Sequence, residues 1–412
     1  MKIAILCQHY PPEIGAAAIR VESFARVLSQ RGHIVTVVTS VPCYPSGVIP
    51  PIYRKKPWHK ETENNVIIYR LRTIGYSVSN KISRLLNQII FAFIATIVLI
   101  KLSGKTDVIV ISSPPLLSGV AALITKILRG IPYILDVRDI WPEIAVDMGE
   151  TTRNSIFYRA GRFIEKQMYA KASRIIVVNS GKRDKLVSRG VSEDKIEIIS
   201  NGVSRRLYAN FDFQQGRKKN NEHKDFRVTY LGLIGKAQGI DILIEAAKEL
   251  DEIPNIKIVI YGDGPERSYI RGLIDQMSLQ NIDLAGLITQ EEVPEALMKS
   301  NVNLAILKYR SLNDSIPSKL YEYMASGRPV ILSADGEASR LIKKANSGFV
   351  VPVNDPLALA NAIKNLYQSP ELCRGLGENG RAYAKNYIRE DLALKLEEVA
   401  FQVTGEIVYE NK

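Results

Sequence analysis

The sequence predicts an α/β protein built from two doubly wound domains, each a parallel sheet covered by helices on both faces. Three observations carry that expectation. Short apolar, β-branched runs alternate with segments of helical apolar spacing along the chain, and βαβα alternation implies parallel sheets. The chain has 412 residues, too many for one ordinary core, so two domains of about 200 residues each are expected. Between Tyr208 and Asp225 the chain turns polar, charged and aperiodic, which reads as an interdomain linker. The predicted layout is a first domain over residues 1–207, a linker over 208–225, a second domain over 226–388, and a last helix over 389–412 that packs back on the first domain.

Composition narrows the class. A hydrophobic share of 46% and a charged share of 24% suit a soluble globular protein and leave no room for a mainly disordered or multi-spanning chain. Cys7, Cys43 and Cys373 form neither a CxxC nor an even disulfide framework, and the apolar run Met1 to Cys7 is too short for a signal peptide, so the reducing cytoplasm is expected. The net charge of +12 is concentrated between Tyr53 and Lys105, where Arg54, Lys55, Lys56, Lys60 and further basic residues face only Glu61 and Glu63. That segment contains Ile89–Ile100, the most apolar run, which falls short of the roughly 18–20 residues a bilayer-spanning helix needs. A basic, apolar surface resting on an anionic membrane and a buried core helix both remain open. No recognised nucleic-acid motif accompanies the charge, so nucleic acid is not an expected partner.

In the first domain, Lys2 to Cys7 reads as a buried parallel strand. Val21, Phe24, Ala25 and Leu28 follow at helical spacing, and Ile34 to Thr39 is the next strand. The loop Gln8 to Ala18 of this βαβ unit lies at the strand's C-terminal edge, where open α/β sheets bind ligands, and Gly15 permits close backbone approach. A plain connecting loop is the alternative. Strands Val108 to Ser112, Tyr133 to Val137 and Ile175 to Val178 continue the alternation, with an apolar helix from about Leu116 to Leu128. Asp139 follows a strand end at the same ligand edge, where it either orients a ligand or pairs structurally with Arg138.

The second domain opens with strand Arg227 to Leu231 and the loop Gly232 to Gly239, which leads into a helix from Ile240 to Leu250. Glycines Gly232 and Gly235 between strand and helix expose backbone N–H groups, and with Lys236 they suit a diphosphate. The loop is not a P-loop, because Tyr230 holds the upstream glycine position and Ala237 follows the lysine, and GxGxxG is absent. Tyr261 to Glu266 is a turn containing Gly262, and Val302 to Leu307 is a further strand. Asp314 to Val330 then predicts a short helix starting at Pro317, with Ile316, Leu320 and Met324 on its packing side and Lys319, Glu322 and Ser326 on another face. Gly327 and Pro329 stop it before strand Val330 to Leu332, and helices from Pro356 and Glu371 finish the domain.

The run Glu322-Tyr323-Met324-Ala325-Ser326-Gly327-Arg328-Pro329-Val330 resembles the donor-binding segment of the retaining glycosyltransferases of family 4, whose pattern places a first acid ahead of this run with seven residues between the two acids. Asp314 stands at that place, where the family more often has Glu. Weaker resemblances lie at Pro11, Pro12 and Gly15, at Asn201 to Val203, at Gly232 to Gly239 and at Gly262 to Pro265. Ala16 replaces a second loop glycine, Arg138 stands where many relatives have His, and Leu233 and Gln238 stand where a basic pair is usual, with Lys236 and Lys319 as substitutes.

The resemblance implies the GT-B fold, two doubly wound Rossmann-like domains facing a central cleft. It implies transfer of a sugar from a nucleotide-diphosphate donor to a hydroxyl of a lipid-linked saccharide, with anomeric configuration retained, in cell-surface polysaccharide or glycan assembly. In that reading Glu322 accepts from ribose hydroxyls, Asp314 approaches the donor sugar, Asp139 faces the acceptor, and Lys319 and Lys236 meet the diphosphate beside Gly15, Gly232, Gly235 and Gly262. The implied partners are a nucleotide sugar, a lipid-linked saccharide and an anionic membrane surface, on the inner face of the cell membrane. No Asp-x-Asp occurs and His9, His33, His59 and His223 make no ligand cluster, so neither a metal nor another cofactor is expected. A nucleotide-sugar epimerase of the same architecture and a non-catalytic nucleotide-sugar-binding scaffold are the alternatives.

Overall fold

The computed structural model of the chain describes residues 1–13, 15–43, 47–75, 81–217 and 225–405. It divides into two compact units: unit 1 is Met1–Ser200 with Arg389–Lys412, and unit 2 is Asn201–Ile388.

Unit 1 contains β1 (Lys2–Leu6), α1 (Ala16–Gln30), β2 (Ile34–Ser40), β3 (Trp58–Glu63), β4 (Val66–Leu71), α2 (Lys81–Leu102) and β5 (Val108–Ser113). It continues with α3 (Leu116–Arg129), β6 (Tyr133–Val137), α4 (Glu143–Asp147), α5 (Ile156–Lys171), β7 (Arg174–Val177), α6 (Ser180–Val187) and β8 (Ile196–Ile198). The strands form one sheet in the order β3-β4-β2-β1-β5-β6-β7-β8, parallel except for β3 at the edge. β1 and β5 are central and buried almost throughout, as continuous apolar runs covered on both faces must be. The β3–β4 hairpin has no counterpart in the sequence reading. Asn64 and Asn65 make its two-residue turn with φ of 48° and 61°, the left-handed conformation that Asn tolerates and a primed hairpin turn requires.

Unit 2 begins with α7 (Arg205–Arg217), followed by β9 (Phe226–Leu231), α8 (Ile240–Lys248), β10 (Ile256–Tyr261), α9 (Arg267–Gln276), β11 (Ile282–Gly286) and α10 (Val293–Lys299). Then come β12 (Val302–Ile306), α11 (Lys319–Ala325), β13 (Val330–Ser333), α12 (Gly336–Ala345), β14 (Gly348–Val351), α13 (Pro356–Gln368) and α14 (Pro370–Ala384). Its sheet is wholly parallel in the order β11-β10-β9-β12-β13-β14. This is the Rossmann order 3-2-1-4-5-6, with its reversal between β9 and β12. α15 (Arg389–Thr404) returns to unit 1 and packs on α1, where Arg26 bonds Glu390 at 3.0 Å and His33 bonds Glu397 at 2.7 Å.

Three expectations are corrected. The segment read as a linker from Tyr208 is helical to Arg217, and the unit boundary falls at Ser200/Asn201; 218–224, including His223, lie outside the described residues. Phe211 is fully buried in α7, an anchor that the polar composition around it hides. The apolar run Ile89–Ile100 belongs to a helix of 22 residues rather than 12, because Lys81 and Arg84 are compatible with a helix end and do not break it. The helix read as starting at Pro317 starts at Lys319 and has 7 residues.

Candidate functional site

The β9/β12 reversal of unit 2 is the position where open α/β sheets leave a ligand crevice beyond their strand ends. Two buried tyrosines shape its floor. The Tyr230 hydroxyl donates to the Leu233 carbonyl at 2.7 Å, while the Tyr323 hydroxyl donates to the Leu231 carbonyl at 3.0 Å and accepts from the Leu231 N–H at 2.9 Å. α11 is thereby tied to the turn that leaves β9. Neither tyrosine was singled out from sequence; Tyr323 stands inside the most specific motif, beside Glu322, which is the signal that was there to find.

Gly232 and Gly262 bring two loops into backbone contact. The Gly232 N–H donates to the Tyr261 carbonyl at 2.9 Å, and a Cβ at Gly262 would lie 1.8 Å from the Gly232 carbonyl oxygen. Gly262 therefore serves the site by allowing close packing beneath it. Gly232 likewise contributes space rather than a free N–H, contrary to the sequence expectation: with φ of +149°, a Cβ there would lie 2.7 Å from Lys319 Nζ.

Lys319 is the pivot of the crevice. Its Nζ is enclosed, has no hydrogen-bond partner, and lies 4.0 Å from the centroid of the Tyr230 ring. Burial pushes the ammonium down to about 7, opposed by the nearby Glu322 carboxylate. A buried cation held by a ring face and one acid lacks the hydrogen-bond acceptors that ordinarily compensate desolvation. Glu322 and Asp314 are both half-exposed. Ser326, read as part of the same ligand face, is instead buried, accepts from the Asn303 amide at 3.0 Å and joins α11 to β12.

Beside this crevice lies a pocket of about 230 Å³ lined by residues that include Gly235, Lys236, Glu266, Tyr269 and Tyr309. It is smaller than the ~300–1,000 Å³ of typical whole-ligand sites, so it suits one moiety of a larger ligand. Lys236 is exposed at its rim, and the Lys308–Asp241 ion pair closes another side. Among the described residues no group of three or more His, Cys, Asp or Glu is placed to hold a metal ion.

The other two named residues belong to unit 1. Gly15 is exposed at the start of α1, and a Cβ there would meet nothing within 4 Å, so packing does not require the glycine. Asp139 is one-third exposed beyond β6, with Lys182 Nζ 3.5 Å away and itself buried. Arg138 turns to Ser112 Oγ at 3.1 Å and the Pro114 carbonyl at 2.7 Å, holding the loop after β5. Sequence reasoning missed Lys182, and it missed the pair in which His9 Nδ1 lies 2.6 Å from the buried Glu13 carboxylate.

Two Rossmann-like units, one a wholly parallel sheet in Rossmann order and the other parallel but for one edge strand, define the class as an α/β architecture of the GT-B type. Comparison with known proteins makes it specific. The family description "Glycosyl transferase 4-like domain" matches residues 15–202, and "Glycosyl transferases group 1" matches residues 212–383. WbjE of Pseudomonas aeruginosa, a probable glycosyltransferase by its name, is 26% identical over 296 residues, covering 70% of this chain and 74% of the relative. WcaI of Escherichia coli (strain K12), assigned by its name to colanic acid biosynthesis as a glycosyl transferase, is 23% identical over 345 residues, covering 81% of this chain and 84% of WcaI. HepE of Anabaena, solved in complex with UDP-glucose, superposes with a TM-score of 0.70 at 16% identity, covering 98% of this chain and all of HepE. The chain belongs to the family 4-type glycosyltransferases.

Proposed function

We propose that the protein moves a sugar from a nucleoside-diphosphate donor to a hydroxyl of a lipid-linked saccharide, retaining the anomeric configuration, in surface polysaccharide assembly at the inner face of the cell membrane. The observation that carries the donor assignment is the enclosed, unpartnered Lys319 ammonium at the β9/β12 reversal. A diphosphate supplies the anionic partner this nitrogen lacks, and the same charge is worth most when it develops on a leaving group in a water-poor site. The UDP-glucose complex of HepE and the polysaccharide assignment of WcaI support the substrate classes.

In this reaction the bond from the anomeric carbon to the diphosphate oxygen breaks, and its electron pair leaves with the diphosphate. The acceptor oxygen bonds to the same carbon from the same face, and its proton passes to the departing phosphate oxygen. Lys319, with Lys236 at the neighbouring rim, neutralises the growing charge. Glu322 accepts from the ribose hydroxyls, Asp314 approaches the donor sugar, and the pocket beside Tyr269 and Tyr309 takes the nucleoside ring. Asp139, oriented by Lys182, and the open backbone at Gly15 serve the acceptor side. No metal or cofactor is assigned a part.

The test is a thermal-shift titration of wild type and Glu322→Ala with UDP, GDP and ADP, followed by NMR of the glycosidic product made from the nucleotide sugar that binds. One nucleotide should stabilise wild type alone, and the product should keep the donor's anomeric configuration. Absence of a response to every nucleotide, or an inverted product, would overturn the reading.

A further inference from the structure

Among the described residues, unit 1 has a broad exposed apolar surface on its helices. α2 has two unlike faces. Phe91, Ala95, Val98 and Leu99 are buried in the core against the sheet. Ile82, Leu86, Ile89 and Phe93 recur at intervals of four, three and four residues on the other side, and they are between 47% and 73% exposed. Spacing of this kind is one helical stripe. α3 packs along α2, and α5 packs along α3. On α5, Ile156 is 84% exposed and Phe163 is 66% exposed. An ion pair of 2.9 Å from Arg84 on α2 to Glu150, just ahead of α5, ties the α2 end to the approach to α5.

Exposed apolar surface on this scale marks an interaction site, and the charges say with what. α2 and α3 contain no acid at all, and the single acid of α5, Glu165, is buried, where Arg162 and Arg189 bond its carboxylate. Arg129, Arg159 and Lys166 are exposed on the same helices. A second copy of the chain would set like charges against each other, whereas an anionic surface would meet complementary charge around the apolar stripe. Within Ile82–Lys105, 24 residues and long enough to cross a bilayer, the most apolar window of 18 residues has a mean hydropathy of 2.2. The Phe91–Leu99 side of α2 completes the core, so the helix does not leave the fold to span a bilayer while the fold is intact.

We propose that the α2–α3–α5 face of unit 1 docks on an anionic lipid surface, with the α2 stripe, Ile156 and Phe163 entering the headgroup–acyl boundary and the surrounding arginines and lysines meeting lipid phosphates. The proposal rests on the preceding functional reading only for the purpose of such docking, which is to bring the enzyme to a membrane-held acceptor. Lys55 and Lys56, part of the basic segment evident in the sequence, lie outside these three helices.

The test is flotation of the full chain with phosphatidylcholine vesicles, with and without phosphatidylglycerol, for wild type, Leu86→Ser/Phe163→Ser, Arg159→Glu/Lys166→Glu, and Leu287→Ser as an exposed apolar control in unit 2. Wild type and the control should float with the anionic vesicles, and both double variants should bind them about tenfold or more weakly. The thermal response to the nucleotide that stabilises wild type should be the same in all four proteins, which shows that the variants are folded. Equal flotation of the double variants and wild type overturns the proposal. So does a wild type that ignores anionic vesicles; if it also sediments as a dimer that Leu86→Ser/Phe163→Ser abolishes, a second copy covers the face. Flotation lost as expected in variants whose far-UV circular dichroism matches wild type, with no protein responding to any nucleotide, would sink the functional reading and leave the docking surface standing.

Discussion

Replacing Lys319 by Met should make the protein more stable and unable to respond to its donor nucleotide. In the unfolded chain this lysine titrates near its ordinary 10.5, whereas in the folded crevice burial brings it to about 7. Below about pH 7 it is charged in both states and the whole desolvation cost is borne. Between 7 and 10.5 the unfolded chain holds a proton that the folded chain has released, so stability rises with pH, and above that window the cost is gone. At 1.36 kcal/mol per pKa unit the cost is at most roughly 5 kcal/mol at low pH, with about 1–2 kcal/mol remaining at pH 9.5. The half-exposed stem admits water and trims these figures, so the gain on Lys319→Met should be about 2 kcal/mol larger at pH 6.5 than at pH 9.5. For a unit of this size that is roughly 4–8 °C in Tm. Differential scanning fluorimetry at the two pH values, with and without nucleoside diphosphate, measures both effects. A variant gain that does not shrink as pH rises, or a Met variant still stabilised by the nucleotide, would refute the assignment of Lys319 as the crevice's uncompensated cation.

Further outcomes are expected around the same crevice. Wild type saturated to about 100 times its dissociation constant should gain about 2.7 kcal/mol, and Glu322→Ala should forfeit most of that gain in the same titration. Gly262→Ala should cost several kcal/mol in urea unfolding, because its new Cβ would lie 1.8 Å from a backbone oxygen. Gly15→Ala should leave stability within about 0.5 kcal/mol yet slow turnover, because the added methyl meets only the space a substrate needs. Turnover of a nucleotide sugar should be unchanged by EDTA; loss restored by a divalent cation would assign a metal to the reaction.

Much of the architecture is legible because strands buried on both faces are written as unbroken apolar runs. Ile3 to Leu6 and Val108 to Ile111 show it, Val302 to Ile306 does so but for the buried Asn303, and each is nearly inaccessible in the fold. Helix and linker limits were less legible where one side chain decides them. Phe211 anchors α7 within a polar stretch, and nothing in local periodicity announces a single buried aromatic. At the site, Glu322 and Lys319 could be named from spacing, yet the state of Lys319 depends on Tyr230, which is distant in sequence and arrives through β-sheet order. The same holds for Arg20, whose buried bidentate contact with Asp136 and bonds to the Ile199 and Ser200 carbonyls join segments that are neighbours only after folding.

The return of α15 to α1 makes unit 2 an insertion within unit 1, and this sets an order of events during synthesis. Leu392, Ala393, Leu396, Val399 and Ala400 are buried there, so the core of unit 1 stays open along α1 until the last helix has left the ribosome. At about 5–20 residues per second the intervening unit takes on the order of ten seconds or more to emerge, and it can close first. Unit 1 is thus finished after unit 2, and a chain cut short in α15 would carry a folded unit 2 together with a unit 1 whose apolar seam along α1 is open.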